Sequence, residues 1–261
     1  MPTHLYCLLV ADAAEKPPLP DVSGVLGLGG APVRRLRLGA AGIDAWVSTI
    51  DEARSLDRGD TAARALAHNA VVDAALATGG TPVPARFGQR FADDADCIAD
   101  IERRAPALRA LLHRVAGCVE MGVLLAERGV DAGRPEVLEE TRVPRSSEAH
   151  AGRRYLEALR VRAHIDDQTR VEADSALERV SSVVRPLVRE ESRAQNAQGA
   201  WSASHLVPRE AVSRYRDAIR ELGRIGEFQL VVAGPRGPYS FVGEASAEGI
   251  GHDSGKLNSG D

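Results

Sequence analysis

Aromatic residues are scarce in this chain, at 4% of 261 positions, so its cores must be built from Leu, Val, Ile and Ala. Cysteine is scarcer still: Cys7, Cys97 and Cys118 are scattered, without a CxxC pair. That excludes a disulfide framework and a zinc ribbon, and it fits reduced, buried thiols of a cytosolic protein. No apolar run approaches the roughly 20 residues needed for a membrane span. The opening run Met1 to Val10 lacks a basic flank and a cleavage pattern, so it is not expected to act as a signal peptide. There is no basic excess either. Lys and Arg number 33 against 37 Asp and Glu, for a net charge of −4, which argues against a dedicated nucleic-acid binder.

The usual catalytic sets are also missing. The seven histidines (His4, His68, His113, His150, His164, His205 and His252) form no HExxH or HxxxH pair, and no cluster of His and Cys at zinc-ligand spacing occurs. Zinc therefore lacks its ordinary ligand spacing. His68 reads as a hydrogen-bonding helix residue. No GxSxG elbow is present. Nothing near Cys97 or Cys118 in sequence would lower a thiol pKa. The glycines between Gly24 and Gly30 lead into Pro32 and a strand pattern rather than a helix, so they do not match a phosphate-binding loop. Asp93, Asp94 and Asp96 sit where a helix starts, and carboxylates belong there for dipole reasons. The Gly and distal Glu of a calcium loop are absent. The expectation is a protein without catalytic residues, metal site or cofactor.

What is present is an α+β pattern. Residues 4–10 read as a buried strand, followed by a loop rich in Pro and Gly to Pro32. Residues 33–38 and 43–50 read as a hairpin with one solvated face. Asp60 is a candidate N-cap for a helix over 61–78, with Ala65, Leu66, Val72, Ala75 and Leu76 on its apolar stripe and Gly79-Gly80 at its end. Pro82 and Pro84 confine residues 81–87 to an edge strand or extended loop. A second helix spans about 93–116, with a kink or a break expected at Pro106. Beyond Gly117 come a strand over 118–126 and a polar loop over 127–147. A long helix over 147–184 follows, with Tyr155, Leu156, Leu159, Ile165, Leu177, Val180 and Val184 on its stripe. Strands over 192–198 and 201–207, a helix ending at Leu222 and a strand over 228–233 complete the order. This is β-α-β-β-α-β, the ferredoxin-like split arrangement. The expected organisation is a small mixed α+β domain over 1–117, a ferredoxin-like domain with a long helix over 118–242, and a disordered tail over 243–261.

Four segments carry a resemblance to a known family. The first is His68-Asn69-Ala70-Val71-Val72-Asp73-Ala74-Ala75-Leu76, continued by Gly79-Gly80-Thr81-Pro82-Val83-Pro84-Ala85-Arg86-Phe87-Gly88 and Phe91. The second is Val119-Glu120-Met121-Gly122-Val123. The third is Gly152-Arg153-Arg154-Tyr155-Leu156. The fourth is Gly234-Pro235-Arg236-Gly237-Pro238-Tyr239-Ser240-Phe241-Val242. In order and spacing, over residues 4–242, the chain resembles the GvpL/GvpF family of gas vesicle proteins. Met121 and Arg236 stand where that family carries aromatic residues. The resemblance implies a non-enzymatic accessory protein of gas vesicle assembly, located in the cytoplasm or on the vesicle. It would act with the hydrophobic shell protein GvpA and other gas vesicle accessory proteins, without nucleic acid or membrane. Arg86, Phe87, Glu120, Tyr239 and Phe241 are the candidate partner-binding residues, and Arg86 and Glu120 could pair between the two domains. The alternative is a small-molecule-binding regulator or enzyme using the ferredoxin-like domain.

Overall fold

Two facing helical layers explain why the first strand is an unbroken buried run. In the computed structural model, which describes residues 1–11, 22–50, 61–127, 169–195 and 201–243, β1 (Thr3–Val10) lies inside a sheet. Beside it is β3 (Ile43–Thr49), antiparallel, with a bulge between Leu5 and Cys7. Outside β3 lies β2 (Arg34–Leu38), which pairs Arg37 with Asp44 and Leu38 with Ile43. On the other flank of β1 are two short antiparallel strands, β4 (Val83–Pro84) and β5 (Arg90–Phe91). Pro84 thus sits on an edge strand, where its missing N–H costs no ladder bond.

Helix α1 (Thr61–Ala77) buries His68, Val71, Val72, Ala75 and Leu76. Val71, Val72 and Ala75 form one cluster with Tyr6, Cys7, Leu9 and Trp46. A second cluster joins Leu5, Leu8, Ile43, Ala45 and Val47 to Ile101, Leu108 and Leu112. Those last residues come from α2 (Asp94–Arg103) and α3 (Ala105–Val115). The sheet is therefore covered on both faces, and β3 is buried from Ile43 to Ser48. The solvated face expected for the hairpin is corrected accordingly. Leu66 is corrected too: it is 70% exposed. At ~100° per residue it lies about 160° round the helix from His68. Asp60 lies outside the described residues.

The expected break in the second helix is real. Asp93 caps α2 by accepting the amide of Asp96 at 3.0 Å, and Pro106 sits in the first turn of α3, where no amide is missed. Asp94 is more than a dipole residue, since it accepts from Thr3 Oγ1 at 2.6 Å and Arg34 at 2.7 Å. Burial raises its pKa, and these bonds outweigh that, leaving it below the usual value.

The second sheet runs β7-β8-β6-β10-β9. Its strands are β6 (Cys118–Glu127), β7 (Glu190–Gln195), β8 (Trp201–Pro208), β9 (Arg224–Ile225) and β10 (Phe228–Arg236). Before β7 the chain is helical over 169–184, here α4, and α5 (Val212–Leu222) follows β8. Leu177, Val180 and Val184 of α4 are buried, as their spacing predicts. The loop over 127–147, the first part of the long helix and the tail beyond Gly243 fall outside the described residues, apart from Glu127.

By contact density the chain divides into two compact units. One holds Met1–Met121, Leu206–Arg209 and the described residues from Gly234. The other holds the described residues of Gly122–His205 and Glu210–Ala233. All five candidate partner-binding residues lie in the first unit.

Candidate functional site

Glu120 organises this corner. It is fully buried in β6, inside the apolar run Cys118-Val119-Glu120-Met121. An ionised carboxylate survives there only if its oxygens are hydrogen-bonded. Oε1 accepts from Arg236 Nε at 3.1 Å, from Arg236 Nη2 at 2.5 Å and from Ser240 Oγ at 2.8 Å. Oε2 accepts from the Ser240 backbone amide at 2.8 Å. The glutamate thus fastens the end of β10 and the 3₁₀ turn Tyr239–Phe241 to β6.

This corrects the expected pairing of Glu120 with Arg86. Arg86 is exposed, and its backbone carbonyl accepts from the Gln89 amide at 3.0 Å. Arg236, at a position where an aromatic residue was expected, is the partner of Glu120. A buried carboxylate in an apolar strand required a nearby cation, and that was the available signal.

The glycines of the closing segment are there for space. Gly234 has φ +104, and a Cβ on it would stand 2.6 Å from the Glu120 carbonyl oxygen. A Cβ on Gly237 would stand 2.9 Å from Val72 Cγ1 and 3.2 Å from Pro84. These contacts bring the segment flat against β6, α1 and β4. Phe241 is buried in the core with Val115, Leu206 and Ala41, and its carbonyl accepts from Arg114. Tyr239 is half-buried, packed against the cluster of Cys7 and Val72. Its hydroxyl has no hydrogen-bond partner, and burial raises its pKa.

Phe87 stands edge-on to His68, with centroids 5.8 Å apart at 80°. His68 in turn meets His4, with Nδ1 and Nε2 3.0 Å apart. The two lie 64 residues apart, so spacing could not reveal the pair. Both are buried, and burial lowers both pKa values, that of His4 to about 3. Burial thus favours the uncharged form of both rings. Next to it, Tyr6 O–H meets Ser48 Oγ at 2.8 Å and accepts the Leu28 amide at 2.8 Å.

The second unit has its own buried polar group. His205 Nδ1 meets the Tyr215 hydroxyl at 2.7 Å, while Nε2 lies 3.7 Å from Glu191. Glu191 accepts from Ser181 at 2.9 Å and from Arg193. Burial lowers the His205 pKa against the pull of Glu191.

Chemically, these groups are already committed. The acceptors of Glu120 are taken, and the histidine pair is enclosed. All three cysteines are buried, with burial raising the Cys97 thiol to about 12 and Cys7 further still. Among the described residues, no group of three His, Cys, Asp or Glu side chains could hold a metal ion. None of their helices is long and apolar enough to cross a membrane.

The class defined is an α+β protein of two antiparallel sheets, with a buried carboxylate tying down its closing segment. The chain belongs to the gas vesicle synthesis protein GvpL/GvpF family, whose model matches residues 2–243. Its fold is similar to that of the gas vesicle protein GvpF from Anabaena sp. PCC7120, at 17% identity and TM-score 0.64, over 92% of this chain and 95% of that one. It is also similar to GvpF from Microcystis aeruginosa, at 13% identity and TM-score 0.65, over 92% of this chain and 98% of that one. No curated protein sequence matches it.

Proposed function

We propose that this chain is a non-enzymatic assembly protein of gas vesicles that binds the hydrophobic shell protein GvpA. The observation carrying this reading is the family match over residues 2–243, with a fold likeness along 92% of the chain. A shell subunit that is hydrophobic and β-rich aggregates unless its apolar face or strand edge is covered before it joins the shell. Covering it is a task for a binding surface rather than for catalytic groups, and the polar groups of this corner are engaged in holding structure. Arg86, Phe87 and Tyr239 are the candidate contacts, with Glu120 and Phe241 holding them in place. The protein acts in the cytoplasm or on the vesicle, together with other gas vesicle accessory proteins. The second half is read as a ferredoxin-like domain. The order β7-β8-β6-β10 supports this, since it puts the first and third strands of a βαββαβ unit at the centre.

The test is co-purification of the tagged chain with GvpA, from cells making vesicles and from a minimal co-expression. Retention of GvpA in either setting is expected. Absence of binding to both the free and the assembled shell protein overturns the reading. An Arg86→Ala/Phe87→Ala variant that stays folded yet retains GvpA fully would remove those residues from the surface.

A further inference from the structure

The first sheet ends on β2, and among the described residues β3 is its one strand partner. A terminal strand offers a row of backbone donors and acceptors to any extended chain alongside. Arg35 and Arg37 project on the face of β2 that carries Asp44 on β3, since Arg37 and Asp44 are cross-strand partners. Asp44 is buried, and both arginines stop 3.9 Å from its carboxylate, beyond hydrogen-bond reach. Among the described residues, neither Asp44 oxygen has a hydrogen-bond partner, and Arg35 Nη1 is buried without one. Arg37 is 60% exposed. Two guanidinium groups thus face one carboxylate, and the more exposed of them, Arg37, stands at the rim. On the opposite face Arg34 is committed to Asp94 and Thr49, beside the half-buried Leu36.

We propose that the outer edge of β2 is a strand-docking site for an extended acidic segment of a partner protein. A strand added there lies about 4.8 Å away and sets alternate side chains beside Arg35 and Arg37. The matching pattern is a carboxylate, an apolar residue against Leu36, then a second carboxylate. Charge also decides against a second copy. Two β2 edges in antiparallel register would bring arginine against arginine, which is destabilising. The basic rim therefore rejects self-pairing and admits an acidic strand. This inference is independent of the gas vesicle role, because model peptides test the edge and GvpA tests the role.

The experiment titrates the full chain with a blocked eight-residue Glu–Val alternating peptide and with its Gln–Val and Lys–Val counterparts. Affinity is read by calorimetry, and location by backbone amide shifts. The Glu–Val peptide is expected to bind with shifts centred on Arg34–Leu38, about tenfold or more tighter than Gln–Val. Its affinity should weaken as salt rises. Arg37→Gln, at an exposed position, should cost about tenfold in affinity with an unchanged unfolding midpoint, and Arg37→Glu should transfer the preference to Lys–Val. N-methylation of alternate peptide amides should abolish binding. Equal affinity for the Glu and Gln peptides, shifts elsewhere, no effect of Arg37→Gln, or dimerisation of the chain through β2 would each overturn the proposal.

Discussion

Two buried carboxylates in the same compact unit have been treated in opposite ways. Glu120, fully buried, accepts four hydrogen bonds from Arg236 and Ser240. Among the described residues, Asp44, 1% exposed, accepts none and meets its arginines at 3.9 Å. The first is a structural fastener: its charge is matched in direction as well as in sign. The second is matched in sign alone, and burial raises its pKa despite Arg35 and Arg37. A buried charge stabilises a fold only when hydrogen bonds replace the water it lost. Charge proximity without geometry leaves a site that is costly as it stands and open to further contact.

The fastener should break asymmetrically. Arg236→Ala strips the buried Glu120 of its cation and leaves only Ser240 to bond it, and is expected to cost about 3–5 kcal/mol. Glu120→Gln instead leaves Arg236, whose side chain is 43% exposed and can recover water. That substitution should cost about 1–2 kcal/mol, the loss of a charged hydrogen-bonding partner. Urea unfolding midpoints of the two variants decide the matter. Equal losses would mean that the cost lies in packing rather than in a stranded charge. The double variant Glu120→Gln/Arg236→Met should be less damaged than Arg236→Ala, because no charge remains enclosed.

Buried bases sharpen the contrast. His4 takes no proton in the folded chain until about pH 3, whereas the unfolded chain takes it near 6.5. The folded pKa is depressed, so this contribution to stability is complete above pH 6.5 and is lost as pH falls from 6.5 toward 3. The slope approaches about 1.4 kcal/mol per pH unit for each such histidine. His68 and His205 are shifted in the same direction. Unfolding free energies at pH 7, 6 and 5 should fall accordingly, and His4→Gln should flatten the curve by roughly one proton. A curve of unchanged steepness would show that His4 is protonated in the fold.

Periodicity made the scaffold legible, and long-range pairing limited the rest. The breaks at Pro106 and at Gly79, the edge position of Pro84 and the strands on either side of the second-unit helices follow from local chemistry. The double coverage of β3 does not, because alternation in residues 43–49 cannot report which layers arrive from elsewhere. Glu120 was visible as an oddity within an apolar strand. Its partner lies 116 residues away in a segment whose Arg236 looked merely like a missing ring. The His4–His68 pair was invisible for the same reason. Four local motifs sufficed to place the chain in its family, while the contacts that hold those motifs together are non-local.

Asp44 gives the smallest effect and the most discriminating one. Its folded pKa is raised, so the fold gains relative stability below the unfolded value near 3.8 and loses it as pH rises through the folded value. Above that folded value the wild type carries the cost of an ionised carboxylate that burial disfavours. Asp44→Asn removes that charge at nearly the same volume and should leave the protein as stable as wild type, or more stable by up to about 1 kcal/mol. The difference should vanish in acid, where Asp44 is itself neutral. A loss above about 1 kcal/mol at pH 7 would mean that the two arginines at 3.9 Å do hold the carboxylate favourably. The same substitution removes the anion that Arg35 and Arg37 share. It should therefore tighten the acidic peptide on β2 while leaving the Gln–Val peptide unchanged. Removing one charge thereby separates a site that is only tolerated from one that is kept for a partner.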